Sequence, residues 1–423
     1  IRVINDYSKA RRVLAVGSDF LGKDPGAIQN TRAFSRARKV DDPKSATKMN
    51  RLYSVEADFT ITGAMADHRL RLSSAQSEAL LVALAQERLN LGAGGDGQIG
   101  ALVRGMPVDD SIPLDWVKAC AADLYENKGS SVVTVSPGAA ERVQWITFYI
   151  NELLGAPGQT QRLLKAPAQE SATISDLAKE LKSGKVEKLF ILGGNPVYNA
   201  PADLDWPLVQ QQAGEVIRLG YWKDETAASA GTNLLLPHYL ETWSDGETLD
   251  GTYVPVQPMI EPLMDSVSEL EFLAVLCGQP ETDPYKIVQK TFSQRSGNAG
   301  AGFDTFLAVG VLPESGYDET QPMSAGGEVV KGIKANPNPA SAVASAKNLE
   351  VLFTPSGNTL DGRYANNGWM MECPDAMTKL TWDNAILISP RLAKELQKET
   401  GISIFQDPNV MTETGQLQRN SAQ

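Results

Sequence analysis

Cysteine and histidine are scarce in this chain. Its 423 residues include three cysteines, Cys120, Cys277 and Cys373, each isolated, and two histidines, His68 and His238. No C-x-x-C occurs anywhere. A cubane iron–sulfur cluster calls for four organised thiolates, a c-type haem for C-x-x-C-H, and a structural zinc for four N or S ligands. None of these can be assembled locally, and the three cysteines read as buried structural thiols. An excess of positive charge is also missing. Lys and Arg number 39 against 51 Asp and Glu, for a net charge of -12, which argues against a sequence-independent grip on nucleic acid or anionic lipid. No apolar run reaches the roughly 18–20 residues of a membrane span. No signal peptide is evident, but the chain begins at Ile1, so that absence carries no weight.

What is present is a recurrent pattern of short apolar runs that end in glycine. Val13–Val16 stops at Gly17-Ser18-Asp19-Phe20, and Leu189–Leu192 stops at Gly193-Gly194-Asn195-Pro196. Each reads as a buried parallel strand breaking into a tight loop at its carboxyl end, where open α/β sheets hold their ligands. Arg51–Phe59, Val132–Val135 and Val216–Leu219 read as further strands, while Ser77–Asn90, Trp116–Asn127, Ala140–Leu154 and Leu177–Lys182 carry helical patterns. Strands alternating with helices indicate parallel, doubly wound sheets. The glycine-rich stretch Leu91–Gly100 lacks a preceding strand and a G-K-[ST] ending, so it reads as a flexible loop, not a phosphate loop.

The two loops belong to a faint internal repeat. VLAVGSDFLGKDPG, followed later by VEADFTITGAMADHRLRL, has its counterpart in FILGGNPVYNAP, followed by GYWKDETAASAGTNLLLP. This predicts two pseudo-equivalent α/β units facing each other across a cleft. Residues 1–115 form the first unit and 116–285 the second. Residues 286–385 form a loop-rich insertion returning to the first unit, and 386–423 the start of a C-terminal domain. Strands are expected at Leu349–Phe353 and Trp382–Ser389.

With these segments in hand, the chain resembles the large subunit of the molybdopterin oxidoreductases, the dimethyl sulfoxide reductase superfamily. Gly17-Ser18-Asp19-Phe20 stands where that family has Gly-Ser-Asn-Pro, and Glu56-Ala57-Asp58-Phe59-Thr60 and Ala66-Asp67 follow it. Ser74-Ala75-Gln76-Ser77 replaces a Pro-Gly-Thr-Asp loop that opens a helix. The second unit has Gly193–Pro196, Glu225-Thr226-Ala227, Leu236-Pro237 and Gly251-Thr252. The matches run from about Arg12 to Pro258 and resume near Ile386, where the family's C-terminal barrel begins. A narrower resemblance rests on MNRLYSVEADFTITGAMADHRLRL, LGGNPVYNAPADLDW, HYLETWSDGETLDGTYVPVQP and DGRYANNGWMMECPDAMTKLTWDNAILISP. These are similar to the molybdopterin-oxidoreductase-like part of the B subunit of alternative complex III, a bacterial quinol-oxidising membrane assembly.

That resemblance implies a structural subunit without a cofactor of its own. The glycine and acid of the family's Pro-Gly-Thr-Asp loop are lost at Ser74–Ser77. Tyr253-Val254-Pro255 replaces the Glu-Gly-Arg expected after Gly251-Thr252, and the amino-terminal four-cysteine motif is absent. The vestigial loop residues are then Gly17, Ser18, Asp19, Ser74, Ser77, Gly193, Gly194 and Asn195. Iron–sulfur clusters and haem c would lie in partner parts: an iron–sulfur ferredoxin-like part, a multihaem cytochrome c subunit and integral membrane quinol-binding subunits. The family also implies the periplasmic face of the inner membrane. The alternative is a catalytic molybdopterin large subunit whose cluster and barrel lie outside this chain. A soluble sugar- or nucleotide-binding α/β protein rests on fold analogy alone.

Single residues have plainer readings. Asn195 suits a turn beside Pro196. His68 reads as structural. His238 and Glu241 are too few for a metal. Asp58, Asp67, Glu225 and Glu241 read as solvated loop acids. Trp369-Met370-Met371 suits either core packing or a partner-facing patch.

Overall fold

A computed structural model describes residues 1–92, 97–168, 171–297, 300–321, 326–334 and 347–401. The chain opens with β1 (Arg2–Asn5) and reaches its central strand at β2 (Arg12–Val16). After α1 (Ala27–Arg38) come β3 (Arg51–Glu56), the single turn α2 (Ile61–Ala64) and β4 (His68–Arg71). Three helices follow, α3 (Ser77–Asn90), α4 (Gln98–Arg104) and α5 (Leu114–Glu126), then β5 (Ser131–Val135), α6 (Glu141–Leu153) and β6 (Gln161–Leu164). The first sheet is all parallel in the order β4-β3-β2-β5.

β2 is apolar throughout because both of its faces are covered. Val13 and Ala15 face Tyr7, Phe20 and Phe34, while Leu14 and Val16 face the layer of α3, α5 and α6. α3 is buried almost all round, from Leu80 to Ala85 and at Leu89, since three helices enclose it. Its buried Arg88 donates to the Leu153 carbonyl and lies 4.0 Å from the Tyr125 ring centroid, so the cation is held by a helix end and an aromatic face.

The second sheet follows α7 (Ile174–Lys182). It is built from β7 (Lys188–Leu192), β8 (Glu215–Gly220) and β9 (Thr232–Leu235), parallel in that order, with α8 (Pro196–Asn199), α9 (Trp206–Gln210) and α10 (Glu225–Ala228) between them. Leu189, Ile191 and Val216 pack on Ala178, Leu181, Trp206 and Val209. β7 is not buried on both faces. Phe190 and Leu192 stay 38% and 36% exposed, and Phe190 meets the edge of Phe272, 5.8 Å away.

The hairpin β10 (Ser244–Glu247) and β11 (Tyr253–Val256) is followed by α11 (Glu269–Leu276), which carries Phe272, and by α12 (Pro284–Ser296) and α13 (Phe303–Val309). Buried Tyr253 stacks on Phe306 beside Phe292 and Phe303. α14 (Gly326–Lys334) returns Val329 and Ile333 to the first core. Of residues 347–401 only α15 (Gly368–Glu372) and α16 (Pro390–Thr400) are helical.

Several expectations need correction. A boundary at residues 115/116 would put α5, β5 and α6 in the second unit, but β5 pairs with β2, so the first unit continues past it and the second sheet starts at β7. A strand's own residues do not encode its ladder partner. Leu349–Phe353 and Trp382–Ser389 form no strand because no ladder partner lies alongside them among the described residues. No barrel strand forms in 386–401, and residues 402–423 lie outside the described part. The glycine-rich stretch gives way to α4 at Gln98, and residues 93–96 lie outside the described part. Only Cys120 is a buried thiol; Cys277 and Cys373 are exposed. Among the described residues no helix is long and apolar enough to cross a membrane.

Candidate functional site

The repeat seen in sequence is a repeat in atoms. β2 ends at Gly17 (φ +63) and β7 at Gly193 (φ +68), both in the left-handed region that glycine enters without strain. Gly17 N donates to the Val55 carbonyl at 2.7 Å, and Gly193 N to the Leu219 carbonyl at 2.8 Å, so each loop is latched to the next strand. Two residues on, Asp19 and Asn195 perform one task. Asp19 Oδ1 accepts from Thr62 N (3.0 Å) and Thr62 Oγ1 (2.8 Å); Asn195 Oδ1 accepts from Thr226 N (3.2 Å) and Thr226 Oγ1 (2.7 Å). The threonine hydroxyl then accepts from Leu21 N in the first unit and Val197 N in the second, both at 3.1 Å. Thr62 and Thr226 sit in the equivalent turns α2 and α10, capped by Thr60 and Asp224. Asn195 is therefore more than a turn residue: its side chain ties β7 to α10.

The rest of each loop is committed to its own unit. Ser18 Oγ donates to Asp24 Oδ2 at 2.6 Å, and Asp19 Oδ2 accepts from Lys23 N at 3.1 Å. Burial pushes the Asp24 carboxyl above its usual range, the Ser18 bond works against this, and the Asp19 charge adds to the rise. Asn195 Nδ2 donates to Glu225 Oε2 at 2.8 Å, which holds Glu225 below the usual range. Glu56 is buried, accepting from Arg69 Nε at 2.7 Å and Thr60 Oγ1 at 2.6 Å; a Cβ on Gly63 would lie 1.7 Å from Glu56 Oε1, so glycine is needed there. In the second unit buried Arg218 pairs with half-buried Asp224.

Ser74–Ser77 opens α3. Ser74–Gln76 is a 3-10 turn closed by reciprocal bonds between Ser73 and Gln76, and Ser77 begins the helix. Ala75 N donates to Glu350 Oε1 at 3.1 Å, so a carboxylate from the returning segment sits on an amide at this helix start. The same segment reaches the second unit. Asn199 Nδ2 donates to Asp361 Oδ2 at 2.9 Å, and Gly362 approaches so close to Tyr198 that a Cβ there would lie 2.5 Å from the ring. Residues 350–362 thus join the two strand-end regions. Glu350, Thr62 and Asp24 were not singled out from sequence. Thr62 had a usable signal, since D-F-T-I-T and D-E-T repeat a threonine shortly after an acid.

A dinucleotide diphosphate needs amides free to donate and positive or neutral surroundings. Here Asp19 and Asp24 crowd the first loop, Glu225 flanks the second, and Glu350 already holds an amide at the start of α3. Among the described residues no group of three or more His, Cys, Asp or Glu is arranged to hold a metal ion.

The remaining candidates disperse. His68 lies on the edge strand β4, stacked on Tyr53 at 4.8 Å. His238 packs on Tyr239 at 4.2 Å, and its backbone N donates to Glu241. Asp67 pairs with Arg38 at 2.6 Å, so it is no solvated loop acid. Asp58 Oδ1 accepts from the neighbouring Phe59 N. Trp369 is 85% exposed, so it is not packed into a core among the described residues.

Two parallel sheets ending in the same glycine loop define an α/β fold of the molybdopterin oxidoreductase type. A solved structure similar to this chain is acetylene hydratase from Pelobacter acetylenicus, at 14% identity and a TM-score of 0.57, over 94% of this chain. The chain spans 60% of that protein's length. No protein-family profile and no curated protein sequence matches it.

Proposed function

We propose that this chain is a cofactor-free structural subunit of a membrane-bound quinol-oxidising complex that passes electrons to cytochrome c or an oxidase. The observation that carries the reading is the Glu350 carboxylate on the Ala75 amide, with Asp19 and Asn195 spent on Thr62 and Thr226. Groups that could face a cofactor instead hold this chain together. The exposed apolar side chains of the returning segment support a partner-covered surface: Phe353 is 95%, Trp369 85% and Ile386 93% exposed. The partners of this reading are an iron–sulfur ferredoxin-like part, a multihaem cytochrome c subunit and integral membrane quinol-binding subunits, at the periplasmic face.

The second reading, a catalytic molybdopterin large subunit whose cluster and barrel lie outside this chain, is favoured by the span of 60% of an enzyme of the same fold. Metal analysis of the chain purified from its native membranes separates the two. The structural reading expects neither molybdenum nor tungsten in stoichiometric amount, together with co-purifying haem and iron. One molybdenum or tungsten per chain overturns it.

A further inference from the structure

Positive charge is concentrated in one stretch of this acidic chain. Residues 23–51 carry eight Lys and Arg against three Asp, within a protein of net charge -12. Six of the eight lie on α1 and on the loop that follows it. α1 itself has no Asp or Glu. Arg32 and Arg36 stand four residues apart on its exposed side, and neither meets a carboxylate among the described residues. Like charges at that spacing destabilise a lone helix, so nothing within α1 accounts for the pair. Arg36 and Arg38 suit the carboxyl end of the helix dipole, but Arg32 lies a turn earlier. Arg38 is otherwise engaged, paired with Asp67 and lying over the Phe34 ring.

The loop adds charge at the carboxyl end of the helix. Asn50 N donates to the Ala37 carbonyl and Asn50 Nδ2 to the Phe34 carbonyl, both at 3.2 Å, so residues 39–50 close back on the last turns of α1. Exposed Lys44 and Lys48 ride on this loop. Its two acids are spent within it. Asp41 pairs with Lys39 at 2.7 Å, and Asp42 Oδ1 accepts from Lys44 N at 2.7 Å and Ser45 N at 3.0 Å, at the start of the 3-10 turn Ser45–Lys48. Arg32, Arg36, Lys44 and Lys48 are left in solvent without a carboxylate partner among the described residues.

We propose that α1 and the loop after it dock an acidic surface of a folded protein partner. Charge complementarity sets the sign of that surface. Arginines among exposed apolar side chains, here Val40 at 44% and Met49 at 37%, suit a protein interface. An extended polyanion, whether nucleic acid or an anionic membrane, also meets the negative remainder of this chain, whereas the acidic patch of a folded partner is confined to the face it covers. The inference does not depend on the structural-subunit reading.

The test is zero-length carbodiimide cross-linking of the full chain in extracts of its native cells, read by mass spectrometry of linked peptides. The reagent joins a lysine amine to a carboxylate in contact with it. Lys44 or Lys48 becomes linked to Asp or Glu of another polypeptide. The double variant Arg32→Gln/Arg36→Gln keeps both lysines and lowers the yield of that link at least fivefold, while Arg32→Lys/Arg36→Lys, which keeps the charge, retains it. All four substitutions are at exposed positions, so both variants fold. Flotation with vesicles of phosphatidylglycerol and phosphatidylcholine, and gel shift of a duplex DNA oligonucleotide, probe the two polyanions, and neither binds the chain. No link from Lys44 or Lys48 to another polypeptide, a yield that the Gln pair leaves within fivefold of wild type, a loss equally large in the Lys pair, or binding to vesicles or DNA that the Gln pair abolishes overturns the proposal.

Discussion

Asp19 and Asn195 occupy the same place in two halves of one chain, and each grips a threonine through a single side-chain oxygen. They differ in what the second side-chain atom meets. Asp19 Oδ2 faces the Lys23 amide, a donor, whereas Asn195 Nδ2 faces the Glu225 carboxylate, an acceptor. The amide and the acid are therefore not interchangeable, although the fold around them is.

This yields a pair of swaps. Asp19→Ala leaves the buried Thr62 groups unmet and should cost about 2–3 kcal/mol, while Asp19→Asn keeps the Oδ1 grip, sets one donor against the Lys23 amide and should cost about 1 kcal/mol. Asn195→Asp places a carboxylate against Glu225. Repulsion raises their folded pKa values, so its stability deficit grows as pH rises through the carboxylate range and vanishes when both are protonated. Urea denaturation of the three variants at pH 4 and pH 7 checks all of this; equal losses for Asp19→Ala and Asp19→Asn would contradict it.

Asp24 gives a second pH signature. Its folded carboxyl is raised, first by burial and then by the Asp19 charge, against the Ser18 bond. An acid raised on folding binds more protons folded than unfolded, so its contribution to stability falls as pH rises from the unfolded pKa through the folded one. Asp24→Asn keeps an acceptor for Ser18 and removes that penalty. Thermal unfolding at pH 7 should show the variant more stable than the wild type, with a flatter decline above pH 4. A less stable variant at pH 7 would show that the charge has a favourable partner.

The two glycine loops were readable because their chemistry is local: an apolar run, a glycine that must enter positive φ, and a polar residue two positions on. α3, Ser77–Asn90, was readable for the same reason. The placement of β5 was not, since nothing in Ser131–Val135 says that its partner is β2, with β3, β4 and the helices α1 to α5 intervening in the chain. Leu349–Phe353 misled in the opposite way. Its apolar residues suit a strand, but they are exposed, and no ladder partner lies alongside them among the described residues. Of the site, the sequence carried Asp19, Asn195 and Ser74–Ser77 but not Glu350, which acts 275 residues away from Ala75.

The cysteines provide a direct chemical check on burial. Cys120 is fully buried on α5 and its thiol is pushed well up by burial, with the Asp123 charge adding to it, whereas Cys277 and Cys373 are exposed. Thiolate is the reactive form, so native protein should label at two positions with iodoacetamide at pH 8 and at the third only after unfolding. Peptide mapping identifies them. Labelling of Cys120 in the native state would show that the α3–α5 layer opens.

Glu350 links the candidate site to the exposed apolar segment Leu349–Phe353. Its carboxylate on the Ala75 amide, near the start of α3, joins the returning segment to the first unit, while Asp361 joins that segment to the second. A carboxylate at such a helix start contributes about 0.3–1 kcal/mol, too little to alter global unfolding but enough to loosen an exposed segment. Glu350→Ala should leave the melting temperature within about 2 °C of wild type. It should speed limited proteolysis within residues 349–354, and Glu350→Gln, which keeps an acceptor, should fall between the two. In the proposed complex a bound partner covers this segment, so the difference in cleavage between Glu350→Ala and wild type should disappear in the intact assembly. Its persistence there would mean that the segment remains exposed and that the partner binds another face.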